Sequence, residues 1–149
     1  MADPEGGEFC AFVRAEPPPY RLYELGLDAA DARSVGRWWA DLLGCGWQAK
    51  PLDETSVDRE AGEPGNDGGH SVDEGGEFVS VADIPGAPFV SLDVAPVPEP
   101  KSGKNRVHLD VVGDVAEIVA CGGTVLGEQP RWTVMADVEG NEFCVFPPA

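Results

Sequence analysis

The order in which strand and helix patterns follow one another most constrains what this chain can fold into. Residues 21–28, RLYELGLD, and residues 106–112, RVHLDVV, each alternate with the period of two that is typical of a strand. Each is followed by one helix pattern and then by further strand patterns, so the same order occurs twice. A doubly wound parallel sheet would need a helix between every pair of strands. The sequence therefore predicts an α+β fold, with helices on one side of a largely antiparallel sheet.

The two predicted helices have recognisable starts and ends. Asp31 is suited to cap the first helix, and Gly44 or Gly46 to end it. The apolar residues of this helix recur at helical spacing and should pack against the sheet: Val35, Trp38, Trp39, Leu42 and Leu43. Asp114 is suited to cap a shorter second helix, which the pair Gly122-Gly123 should terminate.

Further strand patterns surround a long polar stretch. Strands are predicted at residues 77–82, 88–95, 124–127 and 133–146, the last with a turn at residues 139–141. Residues 51–77 are rich in Gly, Asp and Glu and offer too little apolar surface to offset the entropy of ordering them. We expect at most one short strand there, and a mobile loop at residues 53–76.

The chain also repeats its own closing strand. Residues 1–12 read MADPEGGEFCAF and residues 135–146 read MADVEGNEFCVF, with nine of twelve positions identical. Residues 1–14 are therefore predicted to be an extra strand that resembles the end of a preceding homologous unit. Residues 15–19 form a Pro-rich linker, and the domain proper spans residues 20–147. The extra strand either pairs with a sheet edge, of its own domain or of a second copy, or hangs disordered in a longer tandem protein.

Composition narrows the class of partner. A chain of 149 residues is the size of one domain, and no apolar run approaches the length that spans a bilayer. The formal net charge of −17 disfavours nucleic acid and anionic membrane as partners. This acidity either attracts a cationic ligand or serves solubility. The four cysteines show no CxxC pairing and are predicted to be reduced thiols in a cytoplasmic protein.

The second half of the chain resembles a known family. The stretch PEPKSGKNRVHLDV, followed by a short helix and then by WTVMADVEGNEFCVF, is similar to the glyoxalase-like branch of the vicinal-oxygen-chelate superfamily, which also holds bleomycin-resistance proteins and extradiol dioxygenases. The resemblance covers residues 20–146. It implies two βαβββ modules, at about residues 20–100 and 101–147, whose sheets curl around a shared cavity. It also implies a homodimer.

The resemblance implies a metal site of two ligands from each module, one on its first strand and one on its last. Aligning the first strands by their alternation places Glu24 opposite His108. Carboxylate and imidazole are apt ligands for a divalent ion such as Zn, Ni, Mn or Fe. Glu24 would also be the catalytic carboxylate. The alternative is that Glu24 and His108 are polar residues hydrogen-bonded across a cavity.

The closing strands depart from the metal-using pattern. Where metal-using relatives carry a ligating Glu, this chain has Cys144, which is either a thiolate ligand or a small inert core residue. The closing strand of the first module, FVSLDVA, offers three candidates on one face: Ser91, Asp93 and Ala95. Trp132, just ahead of the last strand, is the aromatic residue best placed to stack on a ligand.

These observations predict a protein that binds a small organic ligand in the sheet cavity. Glu24, His108, Trp132 and Cys144 are its predicted contacts, with a weakened or absent metal site and no certain cofactor. The alternative is a divalent-metal-dependent lyase, isomerase or dioxygenase in which Glu24 and His108 are ligands. A third hypothesis is a domain retained for dimer or tandem-domain architecture. Fold-level analogy does not choose among the three.

Overall fold

A computed structural model describes residues 1–4, 6, 11, 15–16, 22–51 and 77–148. The predicted mobile loop at residues 53–76 lies outside the described residues, as do most of the predicted extra strand and of the Pro-rich linker. Within the described part of the chain, no helix is long and apolar enough to cross a membrane.

The elements follow the predicted order in both halves of the chain. The first module consists of β1 (Glu24–Ala29), α1 (Ala32–Leu43), β2 (Gly46–Pro51), β3 (Glu77–Ala82) and β4 (Ser91–Pro96). The second module consists of β5 (Asp110–Val112), α2 (Val115–Ala120), β6 (Thr124–Glu128), β7 (Thr133–Ala136) and β8 (Glu142–Phe146). These are two βαβββ modules, as the resemblance implied.

Each module forms one four-stranded sheet of the same topology. The strand orders are β1-β4-β3-β2 and β5-β8-β7-β6. The first strand of each module runs parallel to the last, and the other neighbours are antiparallel. The prediction of an α+β fold with a cupped, largely antiparallel sheet is therefore confirmed. The sequence did not predict the two parallel pairs, β1 with β4 and β5 with β8.

Several strand bounds differ from the sequence prediction. β5 covers only the last three residues of the predicted strand 106–112, so His108 precedes it. Ahead of this segment the chain is held by a side chain, since the Asn105 N–H donates to the Glu142 carboxylate at 3.0 Å. β2 was not predicted, because its sequence GWQAKP has one large apolar side chain, that of Trp47. β1 and β4 begin three residues later than predicted.

The helix boundaries follow the predicted capping residues. The Asp31 carboxylate accepts a hydrogen bond from the Ser34 N–H at 2.9 Å, and Gly44 ends α1 in the left-handed conformation with φ of 66°. The Asp114 carboxylate accepts from the N–H groups of Ala116 at 2.7 Å and Glu117 at 3.2 Å. Both predicted N-caps are therefore confirmed.

One hydrophobic core joins the two modules. Trp38 and Trp39 of α1 lie edge to face with ring centroids 5.2 Å apart, and Phe143 of β8 lies 5.7 Å and 5.1 Å from them. Trp39 also donates its indole N–H to Asp137 Oδ2 at 3.1 Å. The prediction that both tryptophans belong to the core is confirmed. We call the sheet faces turned away from this core the cup faces.

The loop between β7 and β8 fastens the second module to the start of α1. The Glu139 carboxylate accepts hydrogen bonds from the N–H groups of Ala30 at 2.7 Å and Asp31 at 2.6 Å. Buried Asp137 and Asn141 brace the loop through a side-chain hydrogen bond of 3.0 Å. The two modules are therefore joined by polar contacts as well as by the aromatic core.

Candidate functional site

The cup face of the second module brings three potential ligand atoms together. Asp110 on β5 pairs directly with Cys144 on β8, and His108 precedes Asp110 by two residues. One ligand atom from each of these side chains lies within 4.8 Å of the others. His108 and Cys144 were predicted site residues, and the structure places them in one group. Asp110 was missed, although the alternation of RVHLDVV puts it on the same face as His108.

The charges in this group keep the thiol protonated. Burial raises the pKa of the Cys144 thiol, and the charge and hydrogen bond of the neighbouring Asp110 carboxylate raise that pKa further. His108 Nε2 lies 3.5 Å from Asp110 Oδ1. A thiol in this setting is a hydrogen-bond donor to the carboxylate and not an activated nucleophile.

An aromatic pair lies beside these donors. Phe146 follows Cys144 by two residues on β8 and therefore faces the cup, where its ring stacks on Trp132 with centroids 5.7 Å apart and planes inclined by 29°. Trp132 is half-buried and keeps surface available for a further contact. The Arg131 guanidinium lies 6.0 Å from the Trp132 ring.

Glu24 occupies the other module, on the edge strand β1. It pairs with Ser91 of β4 and is half-buried, and it is not a member of the group formed by His108, Asp110 and Cys144. Ligation of a metal by Glu24 together with His108 stays a prediction. The prediction that they share one cavity stays a prediction as well.

The strand registers identify the residue of the first module that corresponds to Cys144. Gly26 pairs with Asp93, as Asp110 pairs with Cys144. If Glu24 is the counterpart of His108, then Gly26 is the counterpart of Asp110, and Asp93 is the counterpart of Cys144. Of the three candidates on the closing strand of the first module, Asp93 is thus the one in the matching position. This register could not be predicted from the sequence, because β1 and β4 are far apart along the chain and pair only in the folded protein.

A small cavity lies between β1 and the segment before β5. Its volume is about 60 Å³, and it is lined by apolar residues of both modules, with His108, Asn105, Asn141 and Glu142 as its polar wall. This is room for about two water molecules and far less than the roughly 300 Å³ of a typical ligand pocket. A larger depression of about 590 Å³ lies on the outer surface of α1, but it is broad, open and lined by charged side chains such as Arg37 and Asp41.

Glu142 anchors the rim of this cavity. Burial opposes its ionisation, but the Asn105 N–H and the Lys101 ammonium, which lies 3.0 Å from Oε2, more than compensate and lower the pKa of Glu142. Glu142 is thereby held as an anion that fixes the segment leading to His108.

Several solved structures are similar to this chain at low sequence identity. An antibiotic-binding protein, TnmS3 from Streptomyces sp. CB03234, is 18% identical, with 92% of this chain and 100% of that chain covered and a TM-score of 0.45. A glyoxalase/bleomycin resistance protein/dioxygenase family enzyme from Burkholderia phytofirmans PsJN is 10% identical, with 85% and 97% covered and a TM-score of 0.49. A superfamily member from Sphaerobacter thermophilus DSM 20745 is 16% identical, with 85% and 96% covered and a TM-score of 0.47. A search of curated proteins finds no match.

The family comparison covers both modules. The profile described as a glyoxalase-like domain matches residues 24–146, from the first residue of β1 to the last of β8. The match agrees with the resemblance carried by the closing motif and with the two βαβββ modules of the structure. This chain therefore belongs to the family of glyoxalase-like domains.

Proposed function

We propose that this protein binds a small organic molecule against the cup faces of its two sheets, without depending on a resident metal. The observation that carries the proposal is the juxtaposition, on one face, of polar groups and an aromatic pair. His108, Asp110 and Cys144 offer hydrogen bonds, and Trp132 with Phe146 offers a stacking surface. Small-molecule sites combine apolar contact area with a few such polar groups.

The protonation state of Cys144 favours binding over covalent chemistry. Its thiol is neutral because burial and Asp110 raise its pKa. A neutral thiol is a weak nucleophile, so Cys144 is not suited to attack a ligand. The side chains of Asp110 and His108 would instead recognise a ligand through hydrogen bonds.

Fluorescence with N-phenyl-1-naphthylamine, a neutral aromatic probe, tests this proposal. We expect saturable binding that Trp132→Ala weakens roughly fivefold, because stacking on an aromatic ring contributes about 1 kcal/mol. Trp47→Ala is the matched control, since Trp47 is also half-buried but stacks under Arg33, with its guanidinium 5.5 Å from the ring. Equal weakening by both substitutions, or no saturable binding by the wild type, would contradict the proposal.

A divalent-metal-dependent lyase, isomerase or dioxygenase is the second candidate. It is favoured by the nitrogen, oxygen and sulfur donors of His108, Asp110 and Cys144, a set that fits an ion such as Zn, Ni, Mn or Fe. Such an ion would polarise adjacent oxygen atoms of a substrate. Its binding requires that Cys144 lose a proton, so affinity should rise with pH.

Cobalt titration distinguishes the metal-dependent candidate. Co²⁺ bound to a thiolate gives a charge-transfer absorption in the near ultraviolet, which we expect to be absent in Cys144→Ser. Cys121→Ser is the matched control, because Cys121 is also a free thiol but is exposed at the end of α2. An absorption that survives in Cys144→Ser, or no absorption in the wild type at any pH up to 9, counts against a metal site at this group.

We further propose that residues 1–14 pair with a sheet edge, either of their own domain or of a second copy in a homodimer. In support of a strand like β8, Gly6 donates its N–H to Asp3 O at 3.0 Å with φ of 85°, as Gly140 donates to Asp137 O at 3.1 Å with φ of 91°. Asp3 also lies 3.6 Å from the Arg106 guanidinium of the same chain. Deleting residues 1–14 should lower the mass measured by light scattering if the partner is a second copy, and the melting temperature alone if it is the chain's own sheet. An unchanged mass and an unchanged melting temperature would refute the pairing.

We also propose a cytoplasmic location, which the free thiols Cys45, Cys121 and Cys144 suit.

A further inference from the structure

Asp93 lies at the centre of the cup face of the first module. It is on β4, which pairs with β1 on one side and with β3 on the other. Its neighbours Leu92 and Val94 are 2% and 0% exposed within the core. Because side chains alternate along a strand, Asp93 must face the cup.

One oxygen of this carboxylate has no partner. Asp93 Oδ1 has less than 1 Å² of accessible surface and accepts no hydrogen bond. Among the described residues, every other side-chain oxygen or nitrogen atom that is equally buried has a hydrogen-bond partner. A buried carboxylate oxygen that has lost its water without gaining a donor is unfavourable for the free protein. Such an oxygen is suited to accept a hydrogen bond from a donor that a ligand brings.

In the described part of the chain, the residues that pair with Asp93, Gly26 and Ser80, leave room for a cation and carry no positive charge. Opposite Asp93 stands Gly26, where a Cβ atom would meet nothing within 4 Å. Glu24 and Asp28 lie on the same face of β1, two residues to either side of Gly26. The basic residue of this face is Lys50 on the far strand β2, and its ammonium lies over the Phe78 ring, 5.7 Å from the centroid.

We propose that Asp93 binds a protonated amine of the organic ligand. This inference rests on the proposed function and adds a chemical class to it. An ammonium group would donate an N–H to Oδ1 in a charge-assisted hydrogen bond, which is stronger than a neutral one. The net charge of −17 and the flanking carboxylates of Glu24 and Asp28 favour the same sign of ligand.

Benzylamine and benzyl alcohol are the probes that test this inference. They have the same ring and nearly the same size, but only benzylamine is a cation at pH 7. In nitrogen-15 NMR titrations we expect benzylamine to shift the amide signals of Gly26, Ser80 and Asp93 and to bind at least tenfold more tightly than benzyl alcohol. Asp93→Asn should remove this tenfold preference. Glu99→Gln is the matched control, because it removes one negative charge from an exposed loop residue.

A second measurement on the same variants is independent of any ligand. Asp93→Asn should raise the melting temperature of the free protein, because the amide is less costly to bury than the carboxylate, whereas Glu99→Gln should leave it unchanged. If the wild type binds both probes equally on the cup face, the amine site is refuted while the proposed function stands. If neither probe nor N-phenyl-1-naphthylamine binds, the proposed function itself fails. If Asp93→Asn keeps the preference for benzylamine, another group binds the amine and the assignment to Asp93 is wrong.

Discussion

The two modules share one order of elements but differ in what their helices contribute. In the first module α1 has twelve residues, of which six are buried, and its tryptophans reach across to Phe143 in the second module. In the second module α2 has six residues, of which Ile118 alone is buried. The larger helix therefore completes the core of both modules. Repetition of a topology does not make the two halves independent.

The cup faces differ in a complementary way. The second module carries the donor group of His108, Asp110 and Cys144. At the position that matches Asp110, the first module has Gly26. Because glycine has no side chain, no side chain stands directly opposite the Asp93 carboxylate on β1. The first module thus supplies most of the helical core, and the second supplies the clustered donors.

The largest effect should come from removing the shared aromatic centre. Trp39 is 2% exposed, packs against Trp38 and Phe143, and donates to Asp137. We expect Trp39→Ala to reduce the free energy of unfolding by about 3–5 kcal/mol, because a large buried side chain is lost and the buried Asp137 carboxylate loses one of its donors. Urea denaturation should still show one transition. Two separate transitions would show that the modules are independent after all.

A smaller effect should come from the contact between α1 and its own sheet. Gly36 faces β3 so closely that a Cβ atom there would lie 2.3 Å from Val79 Cγ1 and 2.7 Å from Val79 Cβ. Gly36→Ala should therefore destabilise the protein by about 1–3 kcal/mol, although alanine favours a helix. The double variant Gly36→Ala/Val79→Ala should recover part of the loss in thermal denaturation. If Gly36→Ala is stabilising, the helix lies farther from the sheet than described.

The sequence predicted the fold well because local signals agree with it. Asp31, Gly44 and Asp114 bound the helices as capping chemistry requires, and the tryptophan spacing identified the buried face of α1. The candidate site could be predicted only in part. The sequence singles out His108 and Cys144, which lie in one group in the structure. It does not single out Asp110, and it leaves Asp93 as one of three candidates, because their positions are set by the parallel registers of β5 with β8 and of β1 with β4. Those registers depend on pairing between residues far apart in sequence.

Acid should loosen the second module at Glu142. Its pKa is lowered in the folded state because, against the effect of burial, the Asn105 N–H and Lys101 stabilise the anion. A lowered folded pKa stabilises the protein above the ordinary value of 4.5, and this contribution is lost as the pH falls through the folded value. Glu142→Gln should cost about 1 kcal/mol at pH 7 and progressively less as the pH falls below 4.5, as measured by urea denaturation across pH. Glu128→Gln, on the exposed strand β6, should change neither.

The smallest effect should come from removing the charge of Asp110, whose counterpart in the first module, Gly26, is uncharged. Asp110 is exposed, so Asp110→Asn should leave stability nearly unchanged. It should nevertheless lower the pKa of Cys144, because the charge of Asp110 and its hydrogen bond to the thiol both hold that pKa up. Alkylation by iodoacetamide at pH 8, followed on the Cys144 peptide by mass spectrometry, should then be about two- to fivefold faster. Glu117→Gln, an exposed charge on α2, should leave the rate unchanged. An unchanged rate in Asp110→Asn would mean that burial alone keeps the thiol protonated, and the group of His108, Asp110 and Cys144 would then lack the electrostatic coupling that sets the second module apart from the first.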